Sequence, residues 1–245
     1  MGATNTESLV FVRTLEAPAQ GSSIAEAHTA YDGRLVLIWQ NAEGARTQCQ
    51  VYKKNGSCES ISFSAFPGHV SFVMPMPGNR WLGCKARTWY EEGKPLADSA
   101  WIVSEQGKVL SSGNMGDALS CPTVAQDETI WAPYFDEHPG RDEGPVDESS
   151  DYGKYTAGDS GMTVFDDHLK VLGRHNSPTY VMDVYYSHHD GYRYWYLSYP
   201  DWIIDNWSAS GQGEPMAADD ELELRGAPFL MYKNRLARLS VFESE

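Results

Sequence analysis

The sequence predicts an all-β repeat protein, a β-propeller of about five blades, on three observations: a recurring hairpin unit, its spacing, and the chemistry of its turns. The unit is an apolar alternating run, a tight turn built on Asp, Asn or Gly, and a second run that often carries Trp. It occurs as IAEAHTAYDGRLVLIW, VSFVMPMPGNRWLGC, LSCPTVAQDETIWAPYF, VMDVYYSHHDGYRYWYL and APFLMYKNRLARLSVF. Its turn residues Gly33, Asn79, Glu128, Gly191 and Asn234 follow one another at 46, 49, 63 and 43 residues, a length that suits one four-stranded blade each.

A second pattern fills the intervals, as QCQVYKKNGSC, SAWIVSEQGKVLSS, MTVFDDHLKVLG and, more faintly, DWIIDNWSASGQ. The two hairpins form the A–B and C–D halves of a blade. Asp32-Gly33, Asn55-Gly56 and Asp190-Gly191 supply the positive φ angles that two-residue hairpins require. The period-2 alternation between turns favours strands over helices. The fifth repeat stops after its first hairpin, at Glu245, and the strand-like run Leu9 to Leu15 is expected to complete that blade. Closure of this kind removes exposed sheet edges. The competing architecture, an open β-sandwich with irregular hairpins, accounts less well for the regular spacing.

The 245 residues read as one domain, 1–245, with an acidic insertion at about 136–159 that lengthens the third interval. Hydrophobic residues are 41% of the chain and include 8 Trp, 14 Tyr and 8 Phe, enough for a packed core. Lys plus Arg number 19 against 34 Asp plus Glu, a formal charge of −15. A phosphate backbone is repelled by such a surface, which argues against nucleic-acid binding. Met1 to Ser8 has neither a basic start nor an apolar run, and no stretch has the length of a membrane helix, so a cytoplasmic location is expected, with no membrane partner. Cys49, Cys58, Cys84 and Cys121 are too few and too irregular for a disulfide scaffold and read as buried free thiols. No Cys/His spacing of the zinc type is present, and neither a metal nor a cofactor is expected.

The turn-plus-Trp units GNRWLG, QDETIWAPYFDE and DGYRYW resemble repeats of bacterial propeller proteins of the regulator-propeller and NHL-like kind, and GDALSCPTVAQDETIWAPYFDE is similar to a segment of propeller-like bacterial proteins. The resemblance implies a fold and assigns no activity. It implies that strand A of each blade lines a central channel and that the D–A and B–C loops share the face where ligands bind. That face would carry Glu16 to Ser23, Asn41 to Arg46, Trp89 to Pro95, Met115 to Asp117, Asp136 to Asp159 and Tyr199 to Asp201.

Candidate site residues follow from this frame. Glu26 and Asp183 fall on inner strands, Asp117 just before the third repeat, and Asp136 and Glu137 just after its second strand. Acid–base hydrolysis of a carbohydrate-like or natural-product substrate needs two carboxyls flanking one bond, roughly 5–10 Å apart, and a linear sequence does not supply that distance. Trp89 and Tyr90 stand in a loop beside Glu91 and Glu92, as ligand-facing aromatics. His28 faces the channel if the register holds, and His138 follows Asp136-Glu137 into the insertion. The insertion reads as a hydrated acidic loop before it reads as a lid, and it lacks the ligand alternation of an EF-hand. The aromatic run Tyr180 to Trp207 suits packing between blades better than carbohydrate binding. His188-His189-Asp190 reads as turn chemistry, since adjacent strand residues point to opposite sides. The expected function is non-catalytic binding of a protein partner or a small-molecule or carbohydrate ligand, with a carboxylate-dependent hydrolase or lyase as the alternative.

Overall fold

A computed structural model describes residues 17–53, 55–88, 97–135, 162–174, 183–189, 193–199, 203–208, 211–212, 216–217, 229–232 and 235–238. They form antiparallel sheets in which sequence neighbours pair. The first sheet is β1 (Ser23–Thr29), β2 (Leu35–Gln40), β3 (Arg46–Tyr52) and β4 (Cys58–Ser62). The second is β5 (Phe72–Met76), β6 (Arg80–Cys84), β7 (Ala100–Ser104) and β8 (Val109–Gly113). The third is β9 (Thr123–Val124), β10 (Ile130–Pro133), β11 (Met162–Phe165) and β12 (Val171–Arg174). The fourth holds β13 (Asp183–His189), β14 (Tyr194–Tyr199), β15 (Ile203–Ser208) and β16 (Gly211–Gln212), with β17 (Met216–Ala217) also on β15. The last is the pair β18 (Phe229–Tyr232) and β19 (Arg235–Arg238). Among the described residues the helical content is one 3₁₀ turn, Phe63–Ala65, and no helix is long and apolar enough to cross a membrane.

Each strand alternation feeds two cores at once. In β6 and β7, Trp81, Trp101 and Val103 pack toward the first sheet with Val36, Ile38 and Val51. Their neighbours Leu82 and Ile102 pack toward the third sheet with Ile130, Ala132 and Phe165. The third sheet repeats the pattern, sending Trp131 and Val164 toward Tyr194 and Tyr196 of the fourth. A sheet covered on both faces needs apolar residues at successive positions, which explains runs such as Ala-Trp-Ile-Val in an antiparallel strand. The aromatic run of the fourth sheet is spent in this way: Trp131 and Tyr194 stack with centroids 5.0 Å apart, and Tyr194, Trp195 and Tyr196 are buried.

One turn design recurs six times among the described residues. Gly33 N–H donates to the Ala30 carbonyl and Ala30 N–H to that of Arg34, and the same two bonds close Asn41–Ala45, Lys53–Ser57, Ser104–Lys108, Ala125–Thr129 and Asp166–Lys170. These are three-residue loops, a type I turn ending on a left-handed residue, so Asp32-Gly33 and Asn55-Gly56 mark hairpins without forming the two-residue turns expected of them. The fourth position takes positive φ in every case, at Gly33, Gly44, Gly56, Gly107, Glu128 and Leu169. A carboxylate, amide or hydroxyl within each loop accepts a following N–H, as Asp32, Asn55 and Asp127 do for Arg34, Ser57 and Thr129, which fixes the bend.

All four cysteines are free, and Cys49 and Cys84 are buried as expected. Cys58 corrects the expectation: it starts the outer strand β4 and is exposed. The run Leu9 to Leu15, the insertion 136–159 and Asp190-Gly191 lie outside the described residues.

Candidate functional site

A pocket opens where the first strands of four sheets converge. Its lining includes Glu26 and His28 of β1, Phe72 to Met74 of β5, Thr123 and Val124 of β9 with the preceding Cys121 and Pro122, and Ser187 of β13. Arg46 at the β2–β3 turn and Tyr31 in the β1–β2 turn complete it. These turns are at opposite ends of β2, so the lining runs the length of the inner strands and is not confined to one loop face. The empty space is about 640 Å³ with its open mouth, of which about 50 Å³ admits the centres of water molecules. At roughly 10–15 Å³ per water, that space holds about three to five waters, or one small polar group.

Local sequence explains how the polar side chains reach this space. β1 carries a register shift between Ile24 and Glu26, and such bulges re-aim the residues that follow. Glu26 and His28, two apart, then share one face. Arg46 reaches over β2: its Nη2 lies 3.3 Å from Glu26 Oε2, and its Nη1 donates to the Ser71 carbonyl. Burial raises the Glu26 pKa, but His28 and Arg46 outweigh it and hold the carboxyl below its ordinary value.

His28 is the anomaly of the site. Its Nδ1 is 3.5 Å from Glu26 Oε1, without hydrogen-bond geometry, and both ring nitrogens are buried with no hydrogen-bond partner among the described residues. Leaving one such atom unpaired costs about 1–3 kcal/mol. Across the pocket, Ser187 Oγ donates to the Cys121 carbonyl. Burial raises the Cys121 thiol pKa, so it stays protonated near neutrality and is a poor nucleophile.

Glu26 and His28, named separately from the sequence, both line this pocket. Asp117 is not among the residues lining the pocket: it accepts the Thr88 N–H at 2.5 Å and lies 3.6 Å from Arg87. Asp183 is the first residue of β13. Trp89, Tyr90, Asp136, Glu137 and His138 lie outside the described residues. Sequence reasoning placed Arg46 on the ligand face, as the end of the run Asn41 to Arg46, without singling it out, and missed Ser187, Cys121 and Tyr31 as lining residues. Arg46 had a usable signal, a lone cation directly after the turn that leads into strand C. Among the described residues, Asp166, Asp167 and His168 could approach one cation, but Asp166 Oδ1 caps its own turn and Asp167 is paired with Arg80.

No family model matches the sequence, and no curated protein matches it. Solved structures do resemble it. A protein of unknown function from Bacteroides caccae has a TM-score of 0.49 at 10% identity, covering 80% of this chain and 67% of that one. Virginiamycin B lyase from Staphylococcus aureus has a TM-score of 0.48 at 10% identity, covering 93% and 73%. A streptogramin B lyase has a TM-score of 0.44 at 11% identity over 85% of this chain, which spans 58% of that protein's length. At this distance no residue role passes from these proteins to this one.

Proposed function

We propose that this chain is a five-bladed propeller that binds a small ligand in the pocket between its inner strands, without catalysing a reaction on it. The observation that carries the proposal is His28, whose ring lines an open pocket while neither nitrogen makes a hydrogen bond among the described residues. A buried polar group left unsatisfied calls for an explanation, and a bound ligand supplies one here. Against hydrolysis by paired acids stands the state of the carboxylates: Glu26 is matched to Arg46 and Asp117 to a backbone N–H and Arg87.

The test is a thermal-shift screen of a small-molecule and carbohydrate panel against the wild-type chain and His28→Leu. Compounds that stabilise only the wild type support the proposal; a panel in which no compound distinguishes the two proteins sinks it. A second reading is favoured by the 3.5 Å approach of His28 to Glu26, an orientation in which the imidazole could act as a base in a hydrolase or lyase. Turnover abolished by Glu26→Gln, Asp117→Ala or Asp183→Ala in a protein that remains folded would establish that alternative.

A further inference from the structure

A second depression adjoins the inner pocket, between the β2–β3 turn and the connection from β4 to β5. It is an open groove of about 810 Å³, within the roughly 300–1,000 Å³ of small-molecule clefts. The geometry points to this groove as a binding site for a small organic carboxylate, its head group held by Arg46 and its apolar body laid on Phe63, Pro67 and Phe72. The groove has its own walls, so this site stands or falls apart from the reading of His28.

The connection Phe63 to Ser71 builds one wall, and its sequence explains why that wall is fixed. Phe66 is buried against Gly83, where a Cβ would stand 2.4 Å from its ring. Gly68 lies against Trp101, whose ring a Cβ there would meet at 2.8 Å. Ser71 N–H donates to the Cys84 carbonyl, and Ser71 Oγ accepts the Ala86 N–H at 3.0 Å. Phe63 and Phe72 are half-buried, each packed against a core, and Pro67 is exposed. A wall held in this way needs little ordering when a guest arrives, and ordering is where affinity is otherwise lost.

Charge selects the head group. Among the described residues the lining includes Arg46 and His69 and no Asp or Glu; Glu43 of the same turn is exposed but is not on it. Arg46 Nη1 donates to the carbonyl of Ser71, a groove residue, and Nη2 faces Glu26, a residue of the inner pocket, at 3.3 Å. The guanidinium thus spans the partition between the two spaces, and its side chain is 34% exposed. Those two contacts use two of its five N–H groups and hold the planar fork in place, which keeps the others for a carboxylate. Glu26 does not cancel the charge outright, since His28 also approaches that carboxylate, at 3.5 Å. The chain's total of −15 matters less than this lining, because at about 0.15 M salt exposed charges beyond about 8 Å are largely screened. An ammonium guest would face Arg46 with no acid on the lining to meet it. A neutral guest would forgo the charge-assisted bond, roughly twice as strong as a neutral one.

3-Phenylpropionate, 3-phenylpropionamide and 3-phenylpropylamine share one body and differ in head group. Each is titrated onto the full chain at neutral pH, with dissociation constants read by ligand-observed NMR. The carboxylate is expected to bind at least fivefold more tightly than the amide and the amine. His69→Glu, an exposed substitution that puts an acid on the groove, is expected to remove that preference, and so is Arg46→Met. The amide or the amine equalling the carboxylate on the wild-type chain overturns the inference, as does binding by none of the three. A carboxylate preference that survives in either variant overturns it too, and since His69 does not line the inner pocket, survival in His69→Glu places the carboxylate outside the groove. The comparison on the wild-type chain decides even if a variant does not fold.

Discussion

Arg80 Nη1 and Asp167 Oδ2 meet at 2.9 Å although 87 residues separate them, and Arg80 Nη2 also reaches Glu128 at 3.0 Å. One guanidinium thus joins the β5–β6 turn to both hairpin turns of the next sheet. We predict that Arg80→Ala lowers stability by about 1 kcal/mol, since these groups are partly exposed and screened. Arg80's hydrogen bond holds the Asp167 carboxyl below its ordinary value. A depressed folded pKa stabilises above the unfolded value, near about pH 4, and the gain is lost as pH falls through the folded one. Urea titrations should therefore show wild type and variant converging below about pH 4. A gap that persists there would assign the effect to packing.

Gly83 leaves room for a ring. A Cβ placed on it would stand 2.4 Å from Phe66 Cδ1 and Cε1, an approach that real atoms do not make. Gly83→Ala is expected to cost about 1–3 kcal/mol, and Phe66→Leu in the same chain is expected to recover part of that loss. Additive losses in the double variant, read from denaturant midpoints, would contradict this contact.

Glu128 adopts φ +71 at a turn position that glycine fills in four of its sister loops. Non-glycine residues pay roughly 1–2 kcal/mol there, against which stand the extra entropy of a glycine chain and a surface ion pair to Arg80. We predict that Glu128→Gly raises stability by about 0.5 kcal/mol. A loss above about 1 kcal/mol in calorimetry would mean that the pair outweighs the backbone strain.

His28→Leu is predicted to change stability by less than about 1 kcal/mol, because it removes two buried nitrogens that make no hydrogen bond among the described residues while it loses the 3.5 Å approach to Glu26. Ligand affinity should vanish in the same protein. A drop above about 2 kcal/mol in chemical denaturation would identify His28 as a structural residue instead.

Much of the fold was legible from local pattern. All the hairpins quoted from the sequence correspond to paired strands, because alternation and turn residues act over a few positions. Loop length was not legible: Asp-Gly and Asn-Gly satisfy both two- and three-residue turns, and the backbone bonds of Ala30 and Lys53 decide between them. At the site, Glu26 and His28 were readable because an i, i+2 pair needs only the strand period. Ser187 and Cys121 were not, since their convergence depends on how separate sheets pack. The fate of Asp117 was hidden for the same reason, its partner being the amide of Thr88.

Because six bends share the same closing bonds, a tip not tied to a neighbouring sheet, as Glu128 and Asp167 are to Arg80, is an exchangeable part. A foreign peptide grafted between residues 105 and 107, for example, is expected to enter and leave in the directions that the Ser104 and Lys108 bonds set, so that the scaffold would display an unrelated segment over an unchanged interior.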